Sequence, residues 1–253
     1  MNRALLEFLA GLVAIAVALG LVTAVIELIW LARQGRLPRA ALREMALSLS
    51  LLVPNALFSL LGLGIWGALY AAAHERALFT FGISPLAILA ALIAVDFSYY
   101  WEHRVAHRLP FLWRLYHAAH HSSDAYTVAT AYRVSFLSQL LAPAFYLPWV
   151  WLGFHPLLIV ALQLFAFHWQ AWLHTEWIGP MGVFDRWFNT PAAHRVHHST
   201  APEHRDRNLG AITLVWDHAF GTYAPAATDL NYGIAGRSAP STWFGIYRDP
   251  WRR

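Results

Sequence analysis

The chain has 253 residues, of which 58% are hydrophobic and 13% charged; soluble domains carry about a quarter charged residues, so this is a membrane composition. There is no cysteine, which excludes disulfides, iron–sulfur clusters, thiolate-held haem and cysteine-type zinc sites and leaves His, Asp, Glu and water to hold any metal. The formal charge is +4 with arginine as the only strong base; scattered as they are, these arginines suit anionic lipid headgroups or an acidic protein partner and exclude nucleic acid as the expected one.

Residues 8–26 carry no charge and reach the ~20 residues that a bilayer-spanning helix needs. A signal peptide is the competing reading; the run is long for its apolar core, and further spans follow. Arg33, Arg36, Arg39 and Arg43 then crowd a loop with Gly35 and Pro38. By the positive-inside rule this loop is cytoplasmic and the N-terminus lies outside. Residues 46–73 are a second uncharged run, with Pro54 and Asn55 expected to kink it, and His74 beyond it is expected at the surface. Residues 77–95 are a third, with Pro85 suited to a helix start. The helical pattern continues past its end. Asp96, Tyr100, His103 and His107 fall at offsets 0, 4, 7 and 11, a single helix stripe, and Pro110 ends it. Arg104, Arg108 and Arg114 are expected to snorkel toward lipid phosphates.

Residues 134–175 contain no Asp, Glu, Lys or Arg and are too long for one span. They predict a hairpin turning at Gly153 and Pro156, its first arm bent by Pro143 and Pro148. His155 then sits across the membrane. His174 returns to the level of the other histidines, whereas His168, six residues earlier, points elsewhere. From Ala224 the chain is rich in Pro, Gly, Ser and Arg without periodicity and predicts a surface tail. The expected fold is all-α, an integral membrane helical bundle of about three spans plus a helical hairpin, with a cytoplasmic histidine-rich helical cap. Its expected division is 1–80 for the N-terminal helices and arginine-rich loop, 81–223 for the catalytic part and 224–253 for the tail.

The histidines carry the chemistry. His103 and His107 stand as H-x-x-x-H, His117, His120 and His121 as H-x-x-H-H, and His194, His197 and His198 repeat the latter. At about 100° per residue, positions i, i+3 and i+4 share a helix face, so each cluster is expected to aim at one spot. Eight imidazoles exceed one tetrahedral site and suit two metal ions close together. Asp96, costly at a membrane edge without a partner, is expected to orient a histidine or to bind metal itself.

The motifs D-x-x-Y-Y-W-x-H-R-x-x-H, H-x-x-H-H-S, HTE, NTP-x-x-HRVHH and WD-x-x-FGTY follow one another between Asp96 and Tyr223. Together they resemble the fatty acid hydroxylase/sterol desaturase superfamily of integral-membrane non-haem di-iron enzymes. The resemblance implies His103, His107, His117, His120, His121, His194, His197 and His198 as metal ligands, with His174 of HTE as an additional one. It implies two iron ions and O2 as co-substrate. Asp206, Asn208 and Gly210 match a D-x-N-x-G pattern, although Leu209 replaces the usual aromatic residue. His204 stands where tyrosine is common and is not counted as a ligand. Trp216, Asp217 and Phe220-Gly221-Thr222 match the closing motif, so Asn208 and Asp217 join Asp96 as candidates to support or bind the metal.

The expected reaction is hydroxylation of an unactivated C–H bond of a lipid, whether fatty acyl, sterol or alkyl lipid. Desaturation is the nearest alternative. Tyr100, Tyr116 and Trp172 are candidates to line a lipid tunnel, against the alternative of an interfacial aromatic belt. No dinucleotide-binding, haem or cysteine motif is present. The two electrons are therefore expected from a ferredoxin, a cytochrome b5-like protein or a reductase, with tetrahydrobiopterin, used by some relatives, as the other route. A non-redox metal-binding or transport protein would place its ligands near the bilayer midplane, whereas most of these histidines lie beyond the spans. A zinc hydrolase using Glu102 as base would show the order H-E-x-x-H, which is absent.

Overall fold

The structure, a computed structural model, describes residues 3–252. It is helical, and among the described residues the one β pairing is an isolated bridge between Phe188 and Thr213. The first helices are α1 (Arg3–Arg33), α2 (Arg39–Ser50), α3 (Leu52–Glu75) and α4 (Pro85–Arg108). The chain then breaks into α5 (Pro110–Leu112), a π-helical turn (Trp113–His117), α6 (Ala118–His121), α7 (Ser138–Leu141) and α8 (Leu147–Leu152). A long helix returns with α9 (Pro156–Trp169), followed by α10 (Phe184–Trp187), α11 (Pro191–His198), α12 (Val215–Phe220) and α13 (Trp243–Arg248). Among the described residues, four segments are long and apolar enough to cross a membrane: Leu6–Arg33, Arg39–Glu75, Pro85–Arg108 and Pro156–Leu173. The chain is a membrane protein.

Local chemistry explains the helix starts. Ser84 accepts a hydrogen bond from the Ala87 N–H (3.2 Å) ahead of Pro85, which opens α4. The uncharged run 46–73 is interrupted at Leu51, between α2 and α3, which puts Pro54 in the first turn of α3, where proline is tolerated. Residues 77–84, ahead of the helix start expected at Pro85, are not helical. Their backbone pairs instead with the end of α8, through Leu78 N–H to Trp151 O (3.0 Å) and Phe81 N–H to Gly153 O (3.2 Å). Gly153 sits at φ 131°, and a Cβ there would lie 2.2 Å from the Phe79 carbonyl oxygen, so only glycine permits this turn.

The hairpin expected over residues 134–175 has one regular arm, α9. Its first arm is broken, because Pro143 and Pro148 each remove a helical N–H. Carbonyls freed in an apolar setting cost several kcal/mol each unless paired. α3 bonds three carbonyls of this irregular stretch: Asn55 donates to Val134 O (2.7 Å), Trp66 to Leu140 O (3.1 Å) and Tyr70 to Pro143 O (2.8 Å). α1 lies against the end of α9, where a Cβ on Gly20 would come 2.9 Å from that of Ala171, a close approach that small residues allow.

The segment from Ala224, expected as a surface tail, does run over the surface, but it is anchored. Ile246 is fully buried against Leu51 and Ala119, Trp243 donates to Ser50 Oγ (2.7 Å), and Tyr232 stacks on Tyr126 with centroids 4.5 Å apart. The fully buried Arg133 ties this strap to the histidine-rich turn, donating to Ser122 Oγ (2.9 Å) and Pro240 O (3.3 Å). A six-residue helix is too short for its apolar spacing to show as periodicity.

Candidate metal centre

Nine histidines converge where α4, the π-turn with α6, the end of α9 and α11 meet. His103, His107, His117, His121 and His197 each offer a ligand atom within 4.8 Å of one another; His120, His174, His194 and His198 do the same as a second group. These are the nine that sequence and resemblance named. Their partition differs from the expectation that each cluster aims at one spot, since both H-x-x-H-H clusters divide between the two groups. Within each, the i and i+4 histidines stay together, about 40° apart around the helix, while the i+3 histidine turns to the other group.

Each element is held for this purpose. α11 begins at Thr190, whose Oγ1 accepts from Ala193 N–H (3.2 Å) and donates to the Asp185 carboxylate; all eight residues of the helix are buried. The π-turn ends at His117 and brings its Nε2 to 3.1 Å from that of His103. His174 follows the 3₁₀ turn Gln170–Leu173, with Nε2 3.2 Å from that of His120 and 3.1 Å from that of His194.

Outer bonds set the tautomers. The Nδ1–H groups of His103, His174 and His197 donate to the carbonyls of Leu209 (2.8 Å), Gln170 (2.8 Å) and Arg207 (2.9 Å). That leaves Nε2 of each as a bare lone pair aimed inward. Asp206 Oδ1 lies 3.3 Å from His107 Nδ1, and this bond holds the Asp206 carboxyl below its ordinary range. The buried Nε2 atoms of His107, His121, His197 and His198 have no hydrogen-bond partner among the described residues. Imidazole nitrogens converging at such distances, several of them without a hydrogen-bond partner, fit a cation. Burial, then neighbouring imidazoles, keep His117, His120, His121, His194, His197 and His198 well below the usual histidine pKa, and burial lowers His174 to about 4. All seven are neutral at neutral pH, the form that ligates metal.

The supporting candidates divide as follows. Asp96 was expected to touch a histidine or a metal. Its oxygens instead accept from Ile212 N–H (3.0 Å), Thr213 Oγ1 (2.6 Å) and Trp216 Nε1 (3.1 Å), clamping the loop after the third cluster onto α4. Asn208, fully buried at φ 52°, donates to Ala193 O (3.0 Å) and Ala224 O (2.9 Å), joining α11 to the strap. Asp217 accepts from the N–H groups of Leu209 (2.8 Å) and Gly210 (2.9 Å), and so positions the carbonyl that orients His103. Of the suggested tunnel residues, Tyr100 is fully buried, bonds Thr222 Oγ1 (3.0 Å) and stacks on Phe220. Tyr116 donates to Glu102 (2.7 Å), and Trp172 packs edge-on to Trp169. None of the three lines the apolar cleft along α4. His168 and His204 stay outside both groups, as expected; His155 does too, with its ring 5.7 Å from that of the half-buried His74.

Sequence reasoning treated Glu27 only as the end of a span. It is 2% exposed and accepts from Thr175 Oγ1 (2.5 Å) and Val128 N–H (2.7 Å), fastening α1 to the residue after His174. An acid in an otherwise apolar helix was the available signal.

The profile of the fatty acid hydroxylase family matches residues 88–222, just over half of the chain and a stretch holding all nine histidines. The chain belongs to that family. It is 39% identical over 150 residues to an alkylglycerol monooxygenase of Danio rerio and 38% identical over 152 residues to that of Homo sapiens. It is 32% identical over 165 residues to the ornithine lipid hydroxylase OlsE of Rhizobium tropici. These alignments cover 57%, 60% and 60% of this chain but only 32%, 34% and 46% of the relatives, so the chain spans about a third to a half of their length. No solved structure matches. Within the fatty acid hydroxylase match lie most of α4, both metal groups and the Asp217 clamp; α1, α2, α3 and the strap lie outside it.

Proposed function

We propose that the chain is a membrane-bound di-iron oxygenase that uses O2 to hydroxylate an unactivated C–H bond of a lipid. What carries this reading is the pair of buried, all-imidazole groups, five and four strong, at the end of membrane-length helices. His103, His107, His117, His121 and His197 would hold one iron, and His120, His174, His194 and His198 the other. When bound, the irons supply the redox chemistry that turns dioxygen against a C–H bond. The protein orients the ligands through the Leu209, Gln170 and Arg207 carbonyls and keeps the imidazoles neutral by burial. It also shields the site from water with α11 and the strap. The names of the relatives are those of monooxygenases and hydroxylases, which favours hydroxylation over desaturation and a lipid as substrate.

Residues 81–223 form the catalytic unit in this reading, and the chain crosses the membrane several times. Arg36 pairs with Glu176 (2.5 Å), two residues after His174, which supports the arginine-rich loop and the metal centre lying on one side. By the positive-inside rule that side is cytoplasmic. Electrons come from outside the chain, from a ferredoxin, a cytochrome b5-like protein, a reductase or a pterin.

The test is metal content after anaerobic purification in mild detergent, followed by lipid product analysis. About two irons per chain are expected, falling sharply in the His120→Ala/His197→Ala double variant, with an oxygenated lipid formed only by the wild type. A single zinc, or no metal, unaffected by those substitutions would refute the assignment.

A further inference from the structure

The helix that carries the first two histidines has a second, differently built face. Leu86, Ala90, Ile93, Phe97, Trp101 and Arg104 stand at offsets 0, 4, 7, 11, 15 and 18, a stripe along α4 distinct from that of Asp96, Tyr100, His103 and His107. Leu86 and Arg104 each lie about 100° from His103 around the helix, so this stripe adjoins the ligand stripe without sharing it. A cleft of about 780 Å³ runs along this face, lined by Leu86, Ala90, Ile93, Phe97, Trp149 and Trp216 among others. Leu86 is 75% exposed and Ile93 51%, so the cleft opens sideways from the span.

The walls at the metal-centre end are pinned. Trp149 Nε1 donates to Ser98 Oγ (2.6 Å) and Trp216 Nε1 to Asp96 Oδ2 (3.1 Å), with both indoles edge-on to Phe97 at 6.1 and 4.9 Å. Past them the stripe turns from apolar to cationic. The Arg104 guanidinium lies 5.4 Å over Trp101 and 5.9 Å over Phe220. Its Nη1 donates to Tyr100 OH (2.5 Å) and Phe220 O (3.4 Å), and among the described residues no carboxylate pairs with it. At 1.5 Å per residue the cleft runs about 16 Å along α4 from Leu86 to Phe97, close to half of the ~30 Å hydrocarbon thickness of a bilayer, and Arg104 stands about 10 Å beyond Phe97 on the same stripe. An apolar cleft one leaflet long, followed along the same stripe by Trp101 and a guanidinium without a carboxylate partner, suits the acyl chain and the phosphate of an anionic glycerophospholipid.

We propose that this face of α4 is a binding site for one resident anionic phospholipid, its acyl chain in the cleft and its headgroup phosphate on Arg104, separate from the metal centre, whose ligand stripe lies about 100° round the helix. Aromatic contacts hold the guanidinium in place, so it meets the phosphate preorganised. Bound there, the lipid would brace the helix that presents His103 and His107.

The test is native mass spectrometry of the full-length protein in mild detergent, titrated with phosphatidylglycerol or phosphatidylcholine. The wild type should retain a single phosphatidylglycerol in preference to phosphatidylcholine. Arg104→Gln should weaken phosphatidylglycerol binding roughly five-fold and abolish that preference. Ala90→Trp, or Ala87→Trp should the first fail to fold, fills the cleft and should prevent retention of either lipid, while metal content and thermal unfolding stay at wild-type values. Equal retention by wild type and Arg104→Gln, or no preference for the anionic headgroup in the wild type, would overturn the proposal. So would recovery of the retained lipid in oxygenated form after turnover, since the cleft would then feed the metal centre.

Discussion

Replacing Asp217 separates the support of the metal centre from its ligands. The side chain is fully buried and accepts from Leu209 N–H (2.8 Å), Gly210 N–H (2.9 Å) and Thr222 Oγ1 (2.7 Å). Burial raises its pKa, and these donors pull it back. Asp217→Ala leaves three buried donors without an acceptor; at about 1–3 kcal/mol each, partly relieved by relaxation, the protein should lose roughly 3–5 kcal/mol of stability. Asp217→Asn is isosteric. Its remaining oxygen keeps the Leu209 and Thr222 bonds while the new amide opposes the Gly210 N–H, so the loss should fall to about 1–3 kcal/mol. The more telling effect is on metal. The Leu209 carbonyl, placed by this clamp, receives the His103 Nδ1–H at 2.8 Å. Loosening such an orienting bond costs about 10–100-fold in metal affinity. Thermal unfolding in detergent reads the first effect and chelator competition the second. A folded Asp217→Asn protein that is destabilised yet binds metal as tightly as wild type would break the link from Asp217 to His103.

Acid should unfold the metal-free protein. A histidine whose pKa is lowered on folding binds fewer protons folded than unfolded, so its stability is full above the unfolded value of 6.5 and is lost as pH falls toward the folded one. With a folded value of about 4, His174 alone removes about 3 kcal/mol across that window; unfolding midpoints that do not move between pH 7 and 4 would contradict its neutral burial. Glu27→Gln sets an amide against one of the two donors, Thr175 Oγ1 and Val128 N–H. It should cost about 1–3 kcal/mol and lower metal occupancy next to His174, which metal analysis would show. Gly210→Ala puts a Cβ 1.9 Å from the Thr213 carbonyl oxygen and should destabilise by about 3 kcal/mol or more; wild-type unfolding would mean the loop yields freely.

Several features were legible because they depend on neighbours in sequence. Uncharged runs marked the spans, Pro85 and Pro191 marked helix starts, and the helical spacing of His103 with His107 marked a ligand stripe. The broken arm over residues 134–155 was not legible. Its stability rests on Asn55, Trp66 and Tyr70, more than 70 residues away, which bond the carbonyls of Val134, Leu140 and Pro143. Asp96 was read as a ligand candidate because an acid at a membrane edge needs a partner; the partner is the 212–216 loop, whose approach no local pattern encodes.

By itself the sequence determined a cysteine-free membrane protein with eight histidines clustered at helical spacing, since composition and residue spacing are local properties. Only the tertiary structure decided which histidine serves which group. His194 and His198 share a direction to within about 40°, while His197 stands about 100° from His198, so one helix can address two centres at once. Whether it does so depends on where α4, α6 and the end of α9 are packed around it, and long-range contacts such as Glu27 to Thr175 and Asp217 to Leu209 set that packing.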